Sequence, residues 1–194
     1  MQLGARVDSV DATAIPRVAI VSQKNLEVME KTMVEVGDGA VWHVSSAKHG
    51  NGVLQLRDRD EKTFWQSDGV LPHAVNVEFP RLTQVAYVAV HLLFNSDESY
   101  TPKKLSVRAG THSLDAAEVG AAEVEGPNGW VMLELLEDPS HRSTSGRVWC
   151  TFLQLMITEN HQNGRDTHVR GVRIFSPQPA PDFSSPLLQQ GQLR

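Results

Sequence analysis

"HAVNVEF", residues 73–79, decides the fold. Val75, Val77 and Phe79 alternate with Ala74, Asn76 and Glu78, the two-residue period that sends neighbouring side chains to opposite faces of a strand. "KLSVRA", residues 104–109, repeats the pattern, with Leu105, Val107 and Ala109 inward and Lys104, Ser106 and Arg108 outward. "QVAYVAVHLLF" (84–94) and "VWCTFLQLMIT" (148–158) are apolar on both faces, as expected of strands in the middle of a packed layer. "WVMLEL" (130–135) and "VRGVRIF" (169–175) complete the set. Turn residues separate these runs: Asp68-Gly69, Pro80, Pro102, Gly126-Pro127-Asn128-Gly129 and Asn163-Gly164. Many short strands without intervening helices predict an all-β sandwich or barrel. Asn163-Gly164, lying between two strand-like runs, predicts a hairpin turn.

Outside these runs the pattern changes. Ser22 is placed to cap a helix through "QKNLEVMEKTMVEV" (23–36), where Leu26, Met29, Met33 and Val36 recur at three- and four-residue steps. Residues 1–35 therefore read as an N-terminal extension with a short peripheral helix, and 36–177 as the sandwich. Residues 178–194, rich in proline and without periodicity, read as a flexible tail ending in Leu193 and Arg194.

Composition narrows the function classes. Across 194 residues, 18 basic side chains are scattered among 23 acidic ones for a net charge of −5, which excludes a protein that tracks nucleic-acid backbones. No stretch approaches a bilayer span and the first residues form no apolar leader, so no membrane is expected and an intracellular protein is. Cys150 has no second cysteine to pair with, and its apolar surroundings read as those of a small buried hydrophobe.

One feature exceeds what turns require. "NHQNGRDTHVR", residues 160–170, crowds amides, two histidines, an arginine, an aspartate and a threonine around one glycine. "FWQSDG" (64–69) and "NSDESYTP" (95–102) share its character, an aromatic anchor leading into hydroxyls and carboxylates. A catalytic reading has little support: no nucleophile elbow or phosphate loop is present, and Asp97 and Glu98, adjacent in sequence, point apart. No second cluster has metal-ligand spacing, so neither metal nor cofactor is expected. Asp68, Asp97 or Ser99 read alternatively as caps of their own turns, and Trp65 as a core plug. Three such loops on one sandwich predict a rim that hydrogen-bonds an extended polar ligand.

"LRDRDEKTFWQSDGVLPHAVNVEF" (56–79), "SDESYTPKKLSVRAG" (96–110) and "NHQNGRDTHVRGVRIFSP" (160–177) closely resemble the DOC domain of the anaphase-promoting complex subunit 10 family. "GDGAVWHVSSAKHGNGV" (37–53) and "EGPNGWVMLEL" (125–135) also fit, so the likeness runs from Val36 to Pro177. It implies a galactose-binding-like jelly-roll β-sandwich. It further implies a non-catalytic subunit of the anaphase-promoting complex (cyclosome), a ubiquitin ligase of the cell cycle, in nucleus and cytoplasm. Such a subunit holds destruction-box substrates together with a WD40 coactivator and raises processivity. On matching positions the degron-binding residues would be Ser67, Asp68, Asp97, Glu98, Ser99, Tyr100, His161, Asn163, Gly164, Arg165, Asp166, Thr167 and His168. Leu193-Arg194 would stand for the family's terminal Ile-Arg, which docks on a tetratricopeptide-repeat scaffold subunit. Departures include Phe64 for the usual Tyr, "RDRDEKT" for "RDDNLET", and the tail before Leu193. Two alternatives stand beside this reading: a DOC domain protein of another ubiquitin ligase, and a carbohydrate-binding jelly-roll module.

Overall fold

The computed structural model describes residues 18–136 and 147–177. Its strands are β1 (Val18–Val21), β2 (Met33–Glu35), β3 (Val41–Val44), β4 (Trp65–Gln66), β5 (His73–Val85) and β6 (Tyr87–Leu93). They continue with β7 (Pro102–Gly110), β8 (Ala117–Glu123), β9 (Asn128–Glu134), β10 (Val148–Asn160), β11 (His168–Val169) and β12 (Gly171–Pro177). Helices α1 (Gln23–Thr32) and α2 (Val53–Arg57) are the longer helical pieces among the described residues. Two five-stranded antiparallel sheets, ordered β1-β9-β6-β12-β2 and β3-β5-β10-β7-β8, face each other, and β4 pairs with β11 at one end. This is a sandwich, one of the two architectures that the alternation predicts, and the jelly roll that the family resemblance implies.

The inward residues of "HAVNVEF" and "KLSVRA" form the core. Val75, Val77, Leu105 and Val107, with Leu153, Leu155 and Ile157 of β10, join Val88, Val90, Leu92, Val131, Leu133, Val172 and Ile174 of the facing sheet. Trp65 is fully buried in this core, and its indole N–H donates to the Ser46 carbonyl at 2.8 Å. The outer face of β6 and β9 is covered by α1, whose Leu26 and Met29 pack on Ala89, Trp130, Met132 and Phe175. That cover explains why 84–94 is apolar on both faces.

Several expectations need correction. The run 84–94 is two strands in different sheets, broken at Ala86. Pro80 does not end a strand; β5 continues through it. The ladder with β10 skips from Glu78↔Phe152 to Thr83↔Cys150, so Pro80 falls in a bulge where its missing N–H leaves no bond unmade. β10 lies between β5 and β7, yet its outer face meets solvent, with Trp149 half-exposed. The helix capped by Ser22 stops at Thr32, because Met33 to Glu35 turn extended and pair with β12. Strand pairing there overrides the helical period. Residues 18–21 and 33–35 are thus edge strands of the sandwich. Asn163-Gly164 is no hairpin: β10 and β12 belong to opposite sheets, and the segment between them crosses the end of the sandwich.

The register fixes that end. Ile157 pairs with His73 and Asn160 with Pro102, so β5 and β7 begin where β10 finishes. The connections before β5, before β7 and after β10 therefore emerge at one pole.

Candidate functional site

At this pole the three polar segments meet. β4 and β11 pair through Gln66↔His168 and Trp65↔Val169. One step beyond, Ser67 N–H donates to the Thr167 carbonyl at 3.1 Å, and Thr167 N–H to Ser67 Oγ at 2.8 Å. Thr167 Oγ1 lies 3.3 Å from the Tyr100 carbonyl and 3.1 Å from Asn160 Oδ1. Asn160 Nδ2 donates to the Asp166 carbonyl at 2.9 Å, curling segment 160–167 on itself. His73 Nε2 meets the Arg165 carbonyl at 2.7 Å. His161 is held on both ring nitrogens, Nδ1 by the Thr101 carbonyl at 3.0 Å and Nε2 by the Gly126 N–H at 3.1 Å. Ser67, His73, Asn160, His161 and Thr167 are all buried. Their polar atoms serve as mortar between loops, as buried polar groups must.

A second cluster locks segment 94–101. The buried Asp97 carboxylate receives Arg170 Nε at 2.9 Å and Nη2 at 2.7 Å, and His168 Nδ1 at 3.1 Å. Burial alone would raise the Asp97 carboxyl; hydrogen bonds from His168 and Arg170 outweigh it and hold it below the ordinary carboxylate value. The His168 ring is stacked between Phe64, at 4.1 Å between centroids, and Tyr100, at 4.3 Å. Asp97 therefore caps no turn of its own.

What remains faces solvent: Asp68, Glu98, Tyr100, Asn163 and Arg165, with Ser99, Gly164, Asp166 and His168 half-buried. Asp166 accepts an ion pair from Lys48 Nζ at 2.8 Å, which lowers its carboxyl below the ordinary value. Glu98, Gln162 and Asn163 have positive φ of 44°, 51° and 57°, a strained setting for residues with a Cβ. Gly164 is demanded by contact: a Cβ there would strike the Ser99 carbonyl.

All thirteen expected rim residues lie at this pole, but they divide. Ser67, Asp97, His161 and Thr167 are spent internally, so Thr167 has no hydroxyl to offer a ligand. Segment 45–51 was missed as part of the rim. It brings Lys48 to Asp166, Ser46 Oγ to the Asp68 N–H at 3.0 Å, and Asn51 to Gln66. Its only signal was the family likeness of 37–53. Leu193 and Arg194 lie outside the described residues. No group of three or more metal-ligating side chains gathers among the described residues, and no described helix is long and apolar enough to cross a membrane.

The family described as "Anaphase-promoting complex, subunit 10 (APC10)" matches residues 9–190, nearly the whole chain. The chain belongs to that family. Among its relatives, the human anaphase-promoting complex subunit 10 is 44% identical over 146 residues, covering 75% of this chain and 76% of its own. The Dictyostelium discoideum subunit 10 is 39% identical over 168 residues, 83% of this chain and 86% of its own. The Saccharomyces cerevisiae anaphase-promoting complex subunit DOC1 is 36% identical over 159 residues, 81% of this chain and 62% of its own. Among solved structures, the paired CBM32 domains of Clostridium perfringens ZmpB superpose with a TM-score of 0.67 at 12% identity, covering 82% of this chain and 40% of theirs. The family 32 module of C. perfringens NanJ, solved with galactose, gives a TM-score of 0.59 at 11% identity, covering 75% of this chain and 98% of its own. At such identity these likenesses show a shared galactose-binding-like fold.

Proposed function

We propose that this chain is a non-catalytic subunit of an anaphase-promoting complex, working in nucleus and cytoplasm as a co-receptor that holds destruction-box degrons with a WD40 coactivator. The carrying observation is the gathering of three sequence-distant polar loops, with segment 45–51, into one rim. Its buried members fix the shape, and Asp68, Glu98, Tyr100, Asn163 and Arg165 are left to solvent. An extended peptide presents backbone donors and acceptors on both edges, which short polar and charged side chains on fixed loops can meet. Weak contact by this rim gains strength when a second protein shares the peptide, through effective concentration. Leu193-Arg194 supplies an aliphatic side chain, a guanidinium and a carboxylate for a tetratricopeptide-repeat scaffold subunit.

The test is Asn163→Ala with Asp166→Ala in a reconstituted ligase. The double variant stays folded, with a small loss of stability from the left-handed Asn163 and the Lys48–Asp166 pair, but adds fewer ubiquitins per degron-dependent encounter. Unchanged processivity, or saturable binding of galactose at the rim in place of peptide, overturns the reading. Removing Leu193 and Arg194 weakens incorporation without changing the folded domain.

A further inference from the structure

Arg170, which grips Asp97, also lines a cavity of about 160 Å³ between α1 and residues 59–61. Its floor is formed by buried side chains, Leu26, His91, Trp130 and Arg173. The His91 imidazole stacks on Trp130 at 4.7 Å, and burial lowers its pKa below the ordinary value. Two further arginines reach the cavity and are already engaged, Arg170 with Asp97 and Arg59 with Asp38 at 3.4 Å.

Arg173 is not engaged in this way. It is 4% exposed, yet no carboxylate among the described residues lies within ion-pair distance. Its one hydrogen bond goes to the neighbouring Val172 carbonyl at 3.2 Å, and its guanidinium carbon sits 5.6 Å from the Trp130 ring centre. A guanidinium carries five N–H donors, so most of these are unmet. Among the described residues the sealed and unpartnered side-chain atoms are Thr101 Oγ1 and His168 Nε2. The idle Arg173 nitrogens are thus not sealed; they open onto the cavity. Burial pushes the Arg173 pKa below its ordinary value, with Arg57 and Arg59 acting in the same direction and Glu35 and Glu30 opposing them. A buried charge without a partner destabilises the chain that carries it.

The mouth is net negative: Glu27, Glu30, Asp60 and Glu61 are exposed and line it beside Arg59. A dianionic phosphate meets four carboxylates on entry, and a lone cation meets a guanidinium on the floor. The cavity is also smaller than the roughly 300–1,000 Å³ usual for small-molecule sites, leaving room for about one side chain. We infer that this cavity receives a carboxylate side chain of a partner protein, paired with Arg173, while an adjacent basic side chain of that partner meets the acidic mouth. The inference rests on the reading of this chain as a subunit of a larger assembly.

Two arms test it on the full chain. In the first, the Arg173 Nε–Hε signal is followed by NMR as blocked Lys-Glu-Lys, blocked Lys-Gln-Lys or inorganic phosphate is added. The glutamate peptide shifts the signal saturably and the glutamine peptide binds at least about tenfold more weakly; by calorimetry, R173M binds the glutamate peptide at least about tenfold more weakly than the parent does, while melting at the same or a higher temperature. Equal response to both peptides, tighter binding of phosphate, or a lower melting temperature for R173M overturns the inference. In the second, R173M and the unaltered chain are offered to a ligase lacking its own subunit 10. R173M incorporates at least about tenfold more weakly; equal incorporation overturns the inference. Failure of the unaltered chain to incorporate strikes the subunit reading instead, and the peptide titration then decides the cavity.

Discussion

The Asp97 carboxylate grips the Arg170 guanidinium side-on, at 2.9 Å from Nε and 2.7 Å from Nη2, with both side chains at most 10% exposed. This pair ties the segment before β7 to the start of β12, and His168 joins it from the third loop. Asp97→Asn leaves a buried guanidinium without its counter-charge, so a loss of about 3–5 kcal/mol is expected. The measurement is the urea midpoint of the full chain. A loss below about 1 kcal/mol, the ordinary value of an exposed pair, would show that the site is wetter than its burial implies.

The same pair sets an acid limit. Asp97 ionises at lower pH in the folded chain than in the unfolded one, because His168 and Arg170 outweigh the opposing effect of burial. A depressed carboxyl contributes stability that is complete above its unfolded pKa of about 3.9 and fades as pH falls through the folded value. The urea midpoint of the parent therefore drops below about pH 4 more steeply than that of Asp97→Asn. Parallel acid limbs would show that other carboxylates carry the effect.

Ser67 and Asp68 are neighbours in sequence with opposite fates. Ser67 Oγ satisfies the buried Thr167 N–H, whereas the Asp68 carboxylate faces solvent. Ser67→Ala strands a buried donor and costs about 1–3 kcal/mol. Asp68→Ala stays within about 0.5 kcal/mol and, on the proposed function, weakens degron use without touching folding. Thermal melts with a processivity assay separate the two. Equal destabilisation by both substitutions would remove the distinction between frame and binding surface.

These contrasts mark how far the sequence was legible. The two-residue period placed Val75, Val77, Leu105 and Val107 in the core because strand alternation is a local property. It could not show that 84–94 changes sheets at Ala86, since Val85 and β6 are alike apolar, and the two faces of β6 are apolar for different reasons, one against the facing sheet and one beneath α1. Helix periodicity ran on through Met33 and Val36 because pairing with β12 depends on residues some 140 positions away. The polar loops were visible as an excess of hydrogen-bonding groups. Composition alone did not reveal that Ser67 and Thr167 satisfy each other, or that Lys48 completes the rim.

Gly164 tests the joint between two of those loops. Its φ is ordinary for any residue, so a left-handed turn does not demand glycine; the Ser99 carbonyl does. Gly164→Ala drives a methyl into that carbonyl and forces segments 97–100 and 161–168 apart. Overpacking of this kind costs about 1–3 kcal/mol. Exchange of the His161 amide, which bonds the Thr101 carbonyl at 2.9 Å, should accelerate more than exchange at the far end of β10. A uniform rise across β10 would mean global destabilisation and no local joint.

Cys150 offers a probe at that far end. Its side chain is fully buried and the thiol pKa is pushed up to about 12 by burial. Near pH 8 only about 10⁻⁴ of a thiol with that pKa is thiolate, and no reagent reaches it in the folded sandwich. Alkylation should therefore proceed only through opening, at a rate set by stability. The Asp97→Asn variant then becomes informative. If the rim and sandwich unfold together, its loss of about 3–5 kcal/mol raises the labelling rate by about a hundredfold or more. If the rim opens by itself, Cys150 labelling stays at the parent rate although the urea midpoint of rim probes has fallen. The core is continuous from Trp65 beneath the rim to Cys150, which favours the first outcome. Rapid labelling of the parent at neutral pH would contradict the packing of β10 itself.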